Sequence, residues 1–167
     1  MMRRVSFAAA FLSISISLHA DPLSDVQRHA EMFRDAFIGG NVDAVLDLYS
    51  DDATVIWPGY GQEASGKEAI RELVVQAMQE LPPDSWYTIC ALEAVSLGEG
   101  YLATVGRWEH SFTADNGVRQ STEVRTMEII MEESGRTYYV FDHASIGVPQ
   151  TFRHPPSIEE AHTKGCQ

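Results

Sequence analysis

Two strand-like stretches near the C-terminal end carry side chains that could bind or transfer protons. In "VRQSTEVRTMEIIM" the odd-numbered positions 127, 129 and 131 are apolar, which predicts that the odd face of this strand points inward. The same face then carries Arg125 and Glu123. Such a pair could orient an anionic or carbonyl group of a substrate. It could equally form a structural ion pair near the strand end.

The following strand, "RTYYVFDHASIGV", places Tyr139, Phe141, His143 and Ser145 on one face, again at odd numbers. A histidine with an ordinary pKa near 6.5 can act as a general base or as a neutral hydrogen-bond partner. A core histidine satisfied by a neighbour is an equal alternative. Strict alternation predicts that Asp142 points away from His143. The candidate catalytic residues are therefore His143, Arg125 and Glu123.

Aromatic side chains are the candidate walls of a ligand pocket. Trp57 and Tyr60 follow a short strand, and Trp108 shares a strand face with His110. Each could instead be an ordinary core aromatic. The predicted ligand-binding set consists of Trp57, Tyr60, Trp108, Phe141 and Ser145.

The elements that would position these residues follow from hydrophobic spacing. Apolar residues at helical intervals predict one helix after "SDVQ", a shorter one after Asn41 and a third after "SGKE". "ATVIW" predicts a short strand, and four longer strands follow Ser85, separated by turns such as Asp115-Asn116-Gly117. Three N-terminal helices and an antiparallel sheet define an α+β domain. A curved sheet wrapped around the longest helix would form a cone with one open pocket.

The stretch "GNVDAVLDLYSDDATVIWPGYGQEASGKEAIRELV" resembles the corresponding part of ketosteroid isomerase and of the SnoaL-like, nuclear-transport-factor-like superfamily. The ending "YVFDHAS" is similar to the final strand of SnoaL-like domains. The resemblance implies the cone fold and a small-molecule pocket. It also implies that both acids of ketosteroid isomerase are absent, since it aligns Trp57 and Met127 with them. An indole and a thioether cannot replace a carboxylic acid, so isomerisation of ketosteroids is not expected.

Composition limits the partners. A formal net charge of −12 argues against surface binding to nucleic acid or to anionic membranes. The sequence contains no zinc-type Cys/His spacing and no nucleotide-binding fingerprint, so neither a metal nor a cofactor is predicted. Cys90 and Cys166 could pair in an oxidising compartment, although the favoured interpretation is that Cys90 packs as a small hydrophobe.

The first twenty residues have the layout of a signal peptide, with "MMRR", an apolar run and "LHA" before Asp21. A disordered or amphipathic N-terminal helix is the alternative. The predicted organisation is a signal peptide over 1–20, a SnoaL-like domain over 21–150 and a flexible tail over 151–167. The mature protein would then be periplasmic or secreted, with no membrane association after signal removal.

Three functions are compatible with these observations. The first is an enzyme that performs general acid-base chemistry on a small, largely apolar molecule, as an isomerase, dehydratase or hydrolase. The second is a non-catalytic binder of such a molecule. The third is an interaction domain that forms a homodimer through its open sheet face. Convergent titratable groups in the pocket would favour the enzyme.

Overall fold

The computed structural model describes residues 22–59 and 63–147. The predicted signal peptide, Tyr60, the tail over 151–167 and Cys166 lie outside the described residues. Within them, three helices precede or interrupt the first strands: α1 (Pro22–Ile38), α2 (Val42–Leu46) and α3 (Gly66–Gln79). The predicted three helices are therefore confirmed.

Local signals explain where these helices begin and end. Val26, Ala30 and Phe37 are buried on one side of α1, as their spacing predicts. Gly40, with φ +68, follows the end of α1 in a conformation that favours glycine. The Asn41 side chain then accepts a hydrogen bond from the Ala44 backbone N–H and caps α2.

Among the described residues, six strands form one curved, unclosed sheet. They are β1 (Tyr49–Ile56), β2 (Ala64–Ser65), β3 (Trp86–Gly98), β4 (Tyr101–Thr113), β5 (Arg119–Glu133) and β6 (Arg136–Ile146). Their order across the sheet is β2-β1-β6-β5-β4-β3. The β1–β6 pair is parallel and the other neighbours are antiparallel. The α+β cone inferred from the sequence is confirmed.

A β-bulge in β6 changes which side chains point towards the helices. Ile129 pairs with Phe141, whereas the next residue, Ile130, pairs with Tyr139. Val140 is thus the extra residue on β6. Tyr139 and Asp142 consequently both point inward, although strict alternation would place them on opposite faces.

The core lies between the helices and this inner face of the sheet. Its largest fully buried side chains belong to Tyr49, Ile70, Ile130, Val26, Val45, Val55, Val74 and Thr104. The half-buried Cys90 of β3 is disulfide-bonded, so its interpretation as a small unpaired hydrophobe is wrong. No helix among the described residues is long and apolar enough to cross a membrane.

Candidate functional site

A pocket of about 260 Å³ opens between α1, the end of α3 and the inner face of the sheet. Most of its wall is apolar or aromatic, which suits a small apolar molecule. Its polar groups come mainly from β4, β5 and β6. The side chains that line it include those of Phe33, Arg34, Trp57, Tyr87, Trp108, His110, Thr126, Glu128, Tyr139 and Asp142.

Two carboxyl groups lie side by side on the inner face. Glu128 of β5 and Asp142 of β6 are directly opposite each other in the antiparallel register. They are only 4% and 5% exposed. Cross-strand neighbours on one face have Cβ atoms about 4.5–5.5 Å apart, so two carboxylates here would repel each other strongly.

Asp142 is held in place by two donors that meet on one oxygen. Tyr49 Oη donates to Asp142 Oδ2 at 2.5 Å, and Trp57 Nε1 donates to the same atom at 3.0 Å. Tyr49 is fully buried in the core. Trp57 therefore supplies a hydrogen-bond donor to a buried acid as well as part of the pocket wall.

Glu128 receives a hydrogen bond from the hydroxyl group of Thr104, its neighbour on β4. Burial raises the pKa of Glu128 to about 7, and the Asp142 carboxylate acts in the same direction. Burial also raises the pKa of Asp142, while the hydrogen bonds from Tyr49 and Trp57 oppose that rise. Since Asp142 has two donors, we assign the proton that the pair retains below about pH 7 to Glu128.

A histidine lines another part of the pocket. His110 is buried on β4, its Nε2 lies 3.0 Å from Ser85 Oγ, and its ring stacks on Tyr87. Burial lowers the pKa of His110 to about 4, and Arg119 adds to the effect. The ring is therefore neutral at physiological pH.

The prediction that the odd faces of β5 and β6 point inward is correct for Tyr139, which precedes the bulge, and wrong for the other residues to which it was applied. Arg125, Glu123 and Met127 lie on the opposite, outer face of the sheet, with Phe141, His143 and Ser145 beside them. None of these six residues lines the pocket. The physical reason is that the pocket-facing positions of β5 are partly polar, whereas apolar Met127 is 53% exposed on the other side.

Arg125 and Glu123 do form the ion pair that was the alternative interpretation. Arg125 Nε lies 3.7 Å from Glu123 Oε1, and both side chains are about half exposed. Such exposed pairs contribute about 0–1 kcal/mol to stability. Because Arg125 and Glu123 lie on the outer face of the sheet, the structure does not support a role for them in the pocket.

Trp57 and Trp108 line the pocket, as the sequence predicted, and their part in ligand binding stays a prediction. Tyr60 lies outside the described residues. The resemblance aligned Met127 with one of the two acids of ketosteroid isomerase. In the structure the neighbouring residue of β5, Glu128, lines the pocket and Met127 does not. The pocket wall therefore contains two buried acids, Glu128 and Asp142, that were not predicted from the sequence.

One signal could have revealed Glu128. Glu128 and the small polar Thr126 lie on the same strand face as apolar Val124 and Ile130. Polar residues within an otherwise apolar face are expected where that face lines a cavity. Asp142 had no such signal, because only the bulge at Val140 turns it inward. Among residues 22–59 and 63–147 no group of His, Cys, Asp and Glu could hold a metal ion.

Solved structures share this fold at low sequence identity. A ketosteroid isomerase-like protein from Erwinia carotovora atroseptica SCRI1043 aligns with a TM-score of 0.65 and 20% identity, covering 78% of this chain and 100% of that protein. An NTF2-like protein of unknown function from Pseudomonas putida KT2440 gives 0.64 and 13%, covering 74% and 84%. A hexachlorocyclohexane dehydrochlorinase gives 0.68 and 10%, covering 80% and 93%.

No curated protein matches the chain. At the level of families the match is clear, since the model of the SnoaL-like domain covers residues 30–140. This range contains α2, α3 and most of α1 and of the sheet. The protein belongs to the SnoaL-like domain family.

Proposed function

We propose that the protein is an enzyme that performs general acid-base chemistry on a small, largely apolar molecule, with Glu128 and Asp142 as the proton-transferring pair. The observation that carries the proposal is the direct juxtaposition of two buried carboxyl groups on the pocket wall. A binder of apolar ligands gains nothing from such a pair, because burying carboxyl groups is unfavourable unless they are compensated.

The pair suits reactions in which a proton leaves carbon. Glu128, with its pKa raised to about 7, can take up or release a proton near neutral pH, which is the range in which general bases are most effective. Asp142 is fixed by Tyr49 and Trp57. Its charge keeps Glu128 basic, because a second ionised carboxyl group beside it is unfavourable. An elimination or an isomerisation would use the pair in this way.

Ring opening of 5-nitrobenzisoxazole tests the proposal without knowledge of the natural substrate. In this reaction a base removes the proton on the ring carbon, the N–O bond breaks and a coloured cyanophenolate forms. We expect catalysis by the parent that rises as the pH increases through about 7 and falls at least about tenfold in Glu128→Gln.

The matched control is Glu132→Gln, which removes the same charge from an exposed position on the same strand. It should leave the rate unchanged. A parent rate no greater than that of buffer, or equal losses in both variants, would show that Glu128 is not a pocket base.

The outer face of the sheet supports a second proposal, that two copies of the chain associate through it. Val95, Val105 and Met127 are 64%, 58% and 53% exposed there. Apolar side chains grouped on one sheet face are typical of interaction surfaces. On the same face Arg107 lies directly opposite Arg125, and Glu109 opposite Glu123.

Like charges directly opposite each other destabilise an isolated sheet. In a dimer with a two-fold axis, the glutamate pair of each copy could lie over the arginine pair of the other copy, because such interfaces are self-complementary. We therefore expect sedimentation velocity to show a dimer that Met127→Glu dissociates. Met32→Glu, at an equally exposed site on α1, should not. A monomeric parent at all concentrations would exclude this interface.

Export is proposed from the first twenty residues alone. A disulfide bond at Cys90 is compatible with an oxidising compartment. N-terminal sequencing of the protein from its native host would find Asp21 at or near the start, and an intact Met1 would refute export.

A further inference from the structure

His110 is fixed in one tautomer by a hydrogen-bond chain. Ser85 Oγ donates to the Pro82 backbone carbonyl at 2.7 Å. A hydroxyl group has a single hydrogen, so in its 3.0 Å contact with His110 Nε2 the serine must accept. His110 consequently carries its proton on Nε2, and its Nδ1 has a lone pair available.

The ring is also fixed in orientation. It lies parallel to the Tyr87 ring with the centroids 4.3 Å apart, and the Phe112 ring is tilted against it with the centroids 4.9 Å apart. Among the described residues no group donates to Nδ1. This atom is not among the buried polar atoms that lack a partner, so it is an accessible acceptor on a ring that lines the cavity.

His110 lies far from the acid pair along the strands. It pairs with Thr122, six residues from Glu128 on β5, which corresponds to about 20 Å of extended chain, and to less across a curved sheet. The aromatic wall between them includes Trp108 and Tyr87. A ligand that reaches both ends must therefore be elongated and mostly apolar.

We propose that His110 Nδ1 accepts a hydrogen bond from a hydroxyl group of the ligand, at the end remote from the carbon on which Glu128 acts. The pocket would then take an elongated apolar molecule with a terminal hydroxyl group. This inference rests on the proposed function, because it concerns the same pocket. Near this end the Arg119 guanidinium donates a hydrogen bond to the Asp84 backbone carbonyl. Its positive charge helps to lower the pKa of His110, so the ring stays a neutral acceptor.

Two probes of similar shape test the proposal. 4-Phenylphenol carries the hydroxyl group, and 4-methylbiphenyl carries a methyl group in its place. We expect the parent to bind the phenol about tenfold more tightly, as one buried hydrogen bond would give. His110→Phe should abolish the preference and leave binding of 4-methylbiphenyl unchanged, which also reports that the pocket is intact.

Ser85→Ala is the second variant. It removes the hydrogen bond that fixes the tautomer of His110 but keeps the imidazole ring. We expect its preference for the phenol to be weaker than that of the parent and stronger than that of His110→Phe. Nitrogen-15 NMR of the parent should show His110 protonated on Nε2. A parent without preference for the phenol, a parent that binds neither probe, a His110→Phe variant that keeps the preference, or protonation on Nδ1 would each overturn the proposal.

The outcome is separable from that of the acid-base proposal. Glu128→Gln should leave the preference for the phenol intact, because Glu128 lies remote from His110. If ring opening of the benzisoxazole fails while the preference depends on His110, the hydroxyl site stands and the catalytic proposal falls. If ring opening depends on Glu128 while His110→Phe keeps the preference for the phenol, the catalytic proposal stands and the hydroxyl site falls.

Discussion

Glu128→Gln is expected to be more stable than the parent by about 3 kcal/mol at about pH 8. Burial and the neighbouring Asp142 raise the pKa of Glu128 from 4.5 to about 7. Between these values the folded chain binds more protons than the unfolded chain, so the parent loses stability as the pH rises through this window. Glutamine has no proton to lose and does not carry that cost.

Urea unfolding of both proteins over a pH series measures the effect. The stability difference should be small at about pH 4.5 and should grow until about pH 7, above which it becomes constant. Burial lowers the pKa values of His29 and His110 to about 4, so both proteins lose stability below about pH 6.5. This loss is common to both and cancels in the difference. A difference that does not vary with pH would contradict the raised pKa of Glu128.

Most of the fold could be predicted from the sequence because its signals are local. Helical spacing, the Asn41 cap and the Asp115-Asn116-Gly117 turn each depend on a few adjacent residues. The short strand β2 was missed, since two residues are too few to show alternation. Ser65, the first residue of "SGKE", occupies the N-cap position of α3, but its side chain makes no capping hydrogen bond and contacts the Thr54 hydroxyl group instead.

The candidate site could not be predicted in the same way, because it depends on which face of each strand points inward. On β5 both faces carry apolar residues, and the more continuous apolar run, through Met127 and Ile129, lies outside. On β6 the extra residue Val140 reverses the alternation before Asp142. Both errors moved the acids out of the predicted pocket and placed Arg125 and His143 in it. Burial of a whole sheet face is decided by packing against the helices, and no single strand encodes it.

Asp142→Ala is expected to destabilise the protein by about 3–5 kcal/mol, whereas Asp142→Asn should change stability by less than about 1 kcal/mol. The alanine leaves the buried Tyr49 Oη and the partly buried Trp57 Nε1 without their acceptor. An unsatisfied donor costs about 1–3 kcal/mol when it is fully buried. Both donors meet on the single atom Oδ2. One amide oxygen with two lone pairs can therefore accept both, and asparagine keeps the arrangement.

Urea unfolding at a pH well below the pKa of Glu128 is the appropriate measurement. Loss of the Asp142 charge lowers this pKa, but burial, which is the larger cause of the raised value, keeps Glu128 protonated there. Tyr49→Phe supplies the second test. In the parent it removes a hydrogen bond to a buried carboxylate and should destabilise, but in the Asp142→Ala background it removes an unsatisfied hydroxyl group and should restore part of the lost stability. Equal destabilisation by alanine and asparagine, or additive effects of Tyr49→Phe and Asp142→Ala, would show that the cavity left by the side chain dominates. The hydrogen bonds would then not be what fixes Asp142 beside Glu128, and the ionised member of the pair would have to be reassigned.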